Sequence, residues 1–292
     1  PYTTLFRSKK QWMNKTLVGM MLLTLVVGLQ ACKKKDNEYD NSNTPSINRT
    51  VDNAYDEMST IADQAITGSL DFYKHGEVIV LSGSDKPVDV EKTACNVVIT
   101  IDTAGVGHTV TVDWGTVNCD CNDGKQRRGK LVITFTGSFH TVGTVKTITP
   151  VGYYVNDNHI EGTKTVTNMG LNSSNQPYFN VQVNGLVTLT SGEVVTYTAT
   201  RVRTIIAGYT TPTHWDNEYL ITGSANASIS NGNGWTSVIT NPLHKIFGCG
   251  KFVSGTINFT PTNKPLRVID YGTGTCDDTF TVTVNGVTYT IN

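Results

Sequence analysis

The sequence predicts an all-β fold, mainly an antiparallel meander that forms a curled sheet or a sandwich, with one N-terminal amphipathic helix. Threonine supplies 45 of the 292 residues, while charged residues make up only 16%, against about 25% in typical globular domains. Threonine is β-branched and half-polar, which suits the solvent-facing side of a strand. From Glu77 onward, short alternating segments follow one another to the end of the chain, which indicates a sheet built from many strands.

The single predicted helix lies near residues 50–66. Its apolar side chains recur at steps of three and four residues, as Val51, Tyr55, Met58 and Ala65 illustrate, and would form one stripe. Thr50 is placed to cap its N-terminus. Because a lone amphipathic helix must bury its stripe, we expect it to pack on the sheet.

The strands predict neighbours that are joined by tight turns. Along residues 194–201 the odd and even positions would face opposite sides of the sheet. Asn184-Gly185, Ser191-Gly192 and Asn285-Gly286 are dipeptides typical of hairpin turns, and short turns favour antiparallel pairing. About fourteen strands exceed a comfortable open sheet, so we expect curling or a split into packed sheets.

One internal repeat stands out. Val112–Asp120 aligns with Ile269–Asp277 in a pattern of apolar residue, Asp, aromatic residue, Gly and Thr that ends in Cys-Asp. In both copies we expect the Asp to accept backbone hydrogen bonds within a turn and the Gly to supply the unusual backbone angles. The duplication indicates either a repeated edge unit or two lobes that meet near residues 208–217.

The cysteines follow the same repeat. Cys95 lies upstream of Cys119, and Cys249 lies upstream of Cys276 at a similar separation. A strand, a turn and a second strand would bring each pair together, which predicts the disulfides Cys95–Cys119 and Cys249–Cys276 and leaves Cys121 as a free thiol. The alternative is a set of four buried thiols.

The N-terminal segment predicts export. A start at Met13-Asn14-Lys15 precedes an apolar run at residues 17–29, which is shorter than the roughly 20 residues that a membrane-spanning helix needs, and this is typical of a signal peptide. Leu29-Gln30-Ala31-Cys32 resembles the bacterial lipoprotein signal, in which the peptide is cut before a diacylated Cys. We therefore expect residues 1–31 to be an upstream segment plus signal peptide, Cys32 to be lipidated, residues 32–47 to be a flexible tether, and residues 48–292 to be the β-rich domain.

The whole layout resembles the uncharacterised envelope lipoproteins common in Bacteroidetes. The resemblance rests on the lipobox, on DWGTVNCDCNDGKQRRGKLVITFTG at 113–137, on YYVNDNHIEGTKTVTN at 153–168 and on DYGTGTCDDTFTVTVNGVTYTI at 270–291. It implies an envelope location and a β-rich fold, and it brings no activity. Lys33, and not the Asp that retains enteric lipoproteins at the inner membrane, follows Cys32, so we expect residence at the outer membrane, facing the periplasm or the surface.

The charge balance of the chain argues against nucleic acid as a partner. Cleavage before Cys32 would leave 19 basic and 24 acidic side chains, whereas nucleic-acid binding needs clustered surplus Lys and Arg. The expected attachment is to the membrane through the N-terminal lipid, and a ligand or protein partner stays unassigned.

Three groups of polar residues are candidate sites. The run Cys119–Gly124 has the wrong spacing for zinc and is too short for a calcium loop, so a turn combined with a disulfide is favoured and no metal is expected. Arg127 and Arg128 could clamp a carboxylate or phosphate, but a solvated face is favoured. Arg201 and Arg203 could line a polar groove, but an outward ladder is favoured.

Catalytic motifs find little support. The sequence contains neither a Gly-x-Ser-x-Gly elbow nor a His-Glu-x-x-His motif, and we expect no catalytic residue and no cofactor. The favoured function is a non-enzymatic envelope lipoprotein, a structural or binding module tethered to the outer membrane. One alternative is a carrier that holds an apolar or lipid ligand in a half-barrel. Another is a carbohydrate-active or carbohydrate-binding lipoprotein, with stacking platforms or paired carboxylates drawn from Trp114, Trp215, Trp235, Tyr271, Asp113, Asp270 and Glu161.

Overall fold

The computed structural model describes residues 44–66, 78–82, 97–103, 108–138, 140–211, 216–249, 251–277 and 279–291. These residues belong to one compact unit. The predicted signal peptide, Cys32, most of the predicted tether and Cys95 lie outside the described residues, so the predictions on them stay predictions.

The described chain consists of one α-helix, fifteen strands and one 3₁₀ turn. In chain order the elements are α1 (Thr44–Ile66), β1 (Val78–Ser82), β2 (Val97–Asp102), β3 (His108–Asp113), β4 (Cys119–Asp120), β5 (Gln126–Phe135), β6 (Val145–Val155), β7 (Asn158–Leu171), β8 (Pro177–Thr188), β9 (Val194–Ala207), β10 (Glu218–Ile229), β11 (Gly234–Ile246), the 3₁₀ turn (Phe247–Cys249), β12 (Lys251–Pro261), β13 (Arg267–Thr273), β14 (Phe280–Val284) and β15 (Val287–Ile291).

All fifteen strands form one sheet in which sequence neighbours are spatial neighbours. The spatial order follows the chain order from β1 to β15, except that the short β4 pairs beside β5 and β3 continues directly to β5. The predicted all-β fold with one N-terminal helix is thus confirmed. The expected antiparallel pairing fails at one place, because β1 pairs with β2 in parallel. Residues 83–96 separate these two strands, and a parallel pair needs a connection of about a dozen residues or more.

The helix begins earlier than the sequence predicted. It starts at Thr44, and Thr50 lies within it, where its hydroxyl donates to the Ser46 carbonyl oxygen at 3.1 Å. Pro45 stands in the first turn, a position that proline favours because its missing N–H is not needed there. The ordered domain therefore includes the last residues of the predicted tether. Within the described part of the chain, no helix is long and apolar enough to cross a bilayer.

One face of the sheet carries the core and packs against α1. Along β8, Phe179, Val181 and Val183 are buried, whereas Gln182 and Asn184 between and beyond them are exposed. The predicted apolar stripe of α1 is confirmed, since its members are 0–6% exposed and join the main core cluster: Ile47, Val51, Ala54, Tyr55, Met58, Ile61, Ala62 and Ala65.

Two of the three predicted turns are confirmed. Gly192 joins β8 to β9, and Asn285-Gly286 joins β14 to β15, with positive φ at all three residues. The prediction for Asn184-Gly185 is wrong, because both residues lie inside β8. The segment near residues 208–217, considered above as a lobe boundary, connects β9 and β10, which pair along their length within the same sheet.

Candidate functional site

The richest concentration of charge in the described chain lies between α1 and the sheet. Four acidic side chains of α1 contact polar side chains of the sheet or of the turn before β5: Asp52, Asp56, Glu57 and Asp63. We call these four acids and their partners the charged interface. Buried ions are tolerated only when they are paired and hydrogen-bonded. These contacts therefore help to determine the position of α1 on the sheet.

Arg127 of β5 is at one end of the charged interface. Its side chain is 0% exposed. Its two terminal nitrogens donate to the two carboxylate oxygens of Asp123 at 2.8 and 2.6 Å, and Nη2 also donates to Glu57 at 2.9 Å. Lys125 contacts the other oxygen of Glu57. The bidentate geometry is the strong form of an Arg–carboxylate pair.

The predicted solvated face is therefore wrong for Arg127. The strand signal could have found it, because Arg127 shares its face with Leu131 and Ile133, which are also buried. Arg128 points to the other side, where its side chain is 24% exposed. Its guanidinium lies 3.7 Å from the centroid of the Tyr154 ring.

Two lysines bind the middle and the end of the helix. Lys146 of β6 is 0% exposed and pairs with Asp63. Lys164 of β7 donates to the Tyr55 carbonyl oxygen at 2.8 Å and lies 3.7 Å from Asp56. Burial lowers the pKa of Lys164 to about 8, against the opposing effect of Asp56, which leaves the ammonium charged at neutral pH.

Asp52 lies at the N-terminal part of the charged interface. It accepts a hydrogen bond from the Tyr197 hydroxyl, and the Tyr197 ring stacks on Tyr55 with centroids 5.5 Å apart. Burial raises the pKa of Asp52 to about 6, although Tyr197 and Arg201 act in the opposite direction. The pKa of Asp52 thus lies above the ordinary aspartate value, whereas the cations around Asp56 hold the pKa of that carboxylate below it.

Arg201 and Arg203 of β9 share one face with Tyr197, as predicted, but that face is directed at α1. Arg203 Nη1 lies 3.7 Å from Asp63, and its guanidinium lies 5.4 Å and 5.0 Å from the ring centroids of Phe179 and Tyr219. The predicted outward ladder is therefore wrong, and the alternative of a polar groove is closer to the arrangement found.

Tyr55 anchors the helix to the backbone of the sheet. Its hydroxyl donates to the Glu161 carbonyl oxygen at 2.7 Å and approaches that of Leu186 at 3.4 Å. The hydroxyl lies directly over Gly185, where an added Cβ would be only 2.1 Å from the tyrosine oxygen. Gly185 thus makes room for the Tyr55 hydroxyl, a role that the turn interpretation of Asn184-Gly185 missed.

One of the two predicted disulfides is confirmed, and the other predictions for the cysteines are untested. The Cys249–Cys276 disulfide is present. Cys119 and Cys121 are both buried, and the Cys121 sulfur lies 3.6 Å from the Cys119 carbonyl oxygen. Because Cys95 lies outside the described residues, its bridge to Cys119 and the assignment of Cys121 as the free thiol stay predictions.

The two repeat copies form the predicted turn. Asp113 Oδ1 accepts from the Gly115 N–H at 2.7 Å, and Asp270 Oδ1 accepts from the Gly272 N–H at 2.8 Å. The two glycines have φ of 84° and 85°, which few residues other than glycine adopt.

In the run Cys119–Gly124, the first two residues form β4 and the rest form a turn, in which the Gly124 N–H donates to the Cys121 carbonyl oxygen at 2.9 Å. Its Asp123 is committed to Arg127. Over the part of the chain that the structure describes, no group of three or more His, Cys, Asp or Glu residues could hold a metal ion.

The aromatic residues considered as sugar-stacking platforms are mostly internal. Trp114 and Trp235 are 3% and 2% exposed, and Trp114 packs on Tyr153 with centroids 5.4 Å apart. Tyr271 is half-buried between Phe252 and Phe280, while Trp215 lies outside the described residues. None of the three described rings is an exposed platform.

Two small cavities lie at the rims of the described fold. One of about 350 Å³ lies beside the β12–β13 turn, and the other of about 210 Å³ lies between the start of α1 and the β6–β7 turn. The second is lined by polar groups that include Arg49, Asn53 and Lys125.

Neither the search of protein-family profiles nor those of curated proteins and of solved structures gave a match to this chain.

Proposed function

We propose that this chain is a non-enzymatic envelope lipoprotein, anchored to the outer membrane through lipid on Cys32, whose β-rich domain is a structural or binding module. The signal-like segment and lipobox at residues 13–32 support the anchoring. The proposal assigns no catalytic residue and no cofactor.

The observation that carries the proposal is the way in which α1 fills the core face of the sheet. Its acids, which are the natural candidates for acid–base chemistry, are engaged by Tyr197, Lys164, Arg127 and Lys146. Its apolar stripe occupies the surface that a carrier would need for an apolar ligand. A filled interior therefore favours a scaffold or binding module over a carrier.

Membrane fractionation with lipid labelling tests the anchor. In cells that express the full chain, Cys32→Ser is expected to abolish incorporation of a labelled fatty acid and to move the protein to the soluble fraction. Asn41→Ser, a change of similar size within the predicted tether, is the matched control and should leave both unchanged. Membrane retention of the exported Cys32→Ser chain would overturn the proposal.

A further inference from the structure

Five basic side chains from four strands surround the acidic side of α1. We call them the cation cluster: Lys146 of β6, Lys164 of β7, Arg201 and Arg203 of β9, and Lys245 of β11. All of them except Lys146 lower the pKa of Asp56 through their positive charge. Lys146 pairs with Asp63. Lys146 and Lys164 are 0% and 5% exposed, so much of this charge is withdrawn from water.

Among the described residues, fewer acids than bases face the cation cluster. Asp52, Asp56 and Asp63 face it, while the fourth helix acid, Glu57, is engaged by Lys125 and Arg127. Within the described part of the chain, these five cations thus face three carboxylates of α1, with Asp216 acting on the neighbouring Tyr219. An excess of partly buried positive charge is costly unless an anion compensates it.

The two arginines also offer unused donors. Arg201 Nη1 and Arg203 Nε are buried, and across the described residues neither has a hydrogen-bond acceptor. The Arg203 guanidinium is flanked by the rings of Phe179 and Tyr219, and such cation–π contacts restrict its movement. A planar, preoriented guanidinium matches the oxygen geometry of carboxylate and phosphate groups.

We propose that Arg201 and Arg203, supported by Lys164, bind a phosphate-type oxyanion beside α1. Solvent reaches the edge of this cluster, since the Asp56 side chain is 48% exposed and that of Arg203 is 16% exposed. The two donor atoms lie buried behind that edge, so these side chains must move apart to admit the anion. The oxyanion would accept hydrogen bonds from Arg201 Nη1 and Arg203 Nε and would balance the surplus charge. This inference does not depend on the lipid anchor.

Inorganic phosphate is the probe, added to the purified full chain at pH 7 with sodium chloride at matched ionic strength as the reference. We expect a saturable rise in Tm of about 5 °C or more, because a ligand that binds only the folded state stabilises it. Isothermal titration should give a matching affinity. A rise that chloride reproduces would indicate a nonspecific ionic effect only and would overturn the proposal.

Substitutions locate the effect. Arg203→Gln is expected to weaken phosphate binding at least tenfold, and Arg203→Lys, which keeps the charge but loses the planar fork, to weaken it less. Arg128→Gln, on the opposite face of the sheet, is the control and should bind as the unaltered chain does. Circular dichroism confirms the fold of each variant. Equal affinity in Arg203→Gln, or equal loss in Arg128→Gln, would refute the assignment.

Vesicles distinguish the two sources of such an oxyanion. If a lipid headgroup is the ligand, phosphatidylglycerol vesicles should bind the chain, phosphatidylcholine vesicles should not, and both Arg203→Gln and inorganic phosphate should reduce binding. If a free anion is the ligand, phosphate binds with the same dependence on Arg203 while the vesicles do not. Failure of both probes would contradict the site.

Discussion

The two copies of the Asp-aromatic-Gly-Thr repeat share a backbone but not an environment. Both form the same turn, with an Asp oxygen 2.7 or 2.8 Å from the glycine nitrogen two residues later. Trp114 of the first copy is 3% exposed in the core beneath α1, whereas Tyr271 of the second copy is half-buried among two phenylalanine rings. Local sequence therefore determines the turn, and the neighbouring elements determine the role of its ring.

The largest difference between the copies should appear when the rings are removed. Trp114→Ala is expected to lower the free energy of unfolding by about 3–5 kcal/mol, since truncating a buried aromatic side chain leaves a cavity. Tyr271→Ala should cost about half of that, because its ring is less buried. Urea unfolding of both variants measures the two values, and equal costs would contradict the difference in environment.

The disulfides test whether the hairpins are equivalent. Cys249→Ser together with Cys276→Ser should lower stability by about 3–4 kcal/mol, as the chain-entropy relation gives for a closed loop of this length. If Cys95 and Cys119 are also bridged, Cys95→Ser should cost a similar amount, and peptide mass mapping should find two bridges with Cys121 unmodified. A Cys119–Cys121 link, or no bridge to Cys119, would show that the first copy differs.

Asp52 is electrostatically coupled to the second copy, since its charge affects the pKa of Tyr271. Its pKa of about 6 in the folded chain lies above the ordinary value of 3.8, so the folded state binds the proton more tightly. The resulting stability is present below pH 4 and is lost as the pH rises through 6. The unaltered chain should therefore lose on the order of 2 kcal/mol relative to Asp52→Asn between pH 4 and pH 7.

Denaturant unfolding of both chains at pH 4, 5, 6 and 7 measures this difference. Parallel pH profiles for the unaltered chain and Asp52→Asn would be inconsistent with a proton held at Asp52.

The smallest effect concerns the shared turn. Asp113→Asn and Asp270→Asn should each cost about 1 kcal/mol, because a hydrogen bond to a charged acceptor is weakened while an acceptor oxygen is kept. Asp113 also lies 3.2 Å from Lys130, whose side chain is 50% exposed, so that ion pair adds little. Thermal unfolding of the two variants measures these costs. A loss of stability in only one variant would show that the two turns are not equivalent.

Much of the fold could be predicted because it is encoded locally. The alternation of β8 and the stripe of α1 follow from residue periods alone, and the turn at Asn285-Gly286 follows from the conformations that these residues favour. The parallel pairing of β1 with β2 could not be predicted in this way, because it depends on a contact between strands and not on the local sequence of β1. The helix start was misplaced because Thr50 fits a capping position as well as an internal one.

The charged interface was harder to predict, since it joins residues that lie far apart in the sequence. Arg127 and Glu57 are 70 positions apart, and the sequence around either residue does not indicate that the other is its partner. The burial of Arg127 could have been inferred from its face of β5, but its partner could not. Gly185 was misassigned because a glycine that makes room for a side chain looks, in sequence, like a glycine that makes a turn.

The contact between Tyr55 and Gly185 bears on the order in which the chain folds. A slip of β8 by one residue would place Asn184 or Leu186 beneath the tyrosine, and either side chain would obstruct the hydroxyl. We therefore expect the helix to dock after β7 and β8 have paired in the correct register, although it precedes them in the chain. Pulsed hydrogen exchange during refolding should show amide protection in α1 appearing after protection in β8, and Gly185→Ala should leave a paired sheet with an undocked helix.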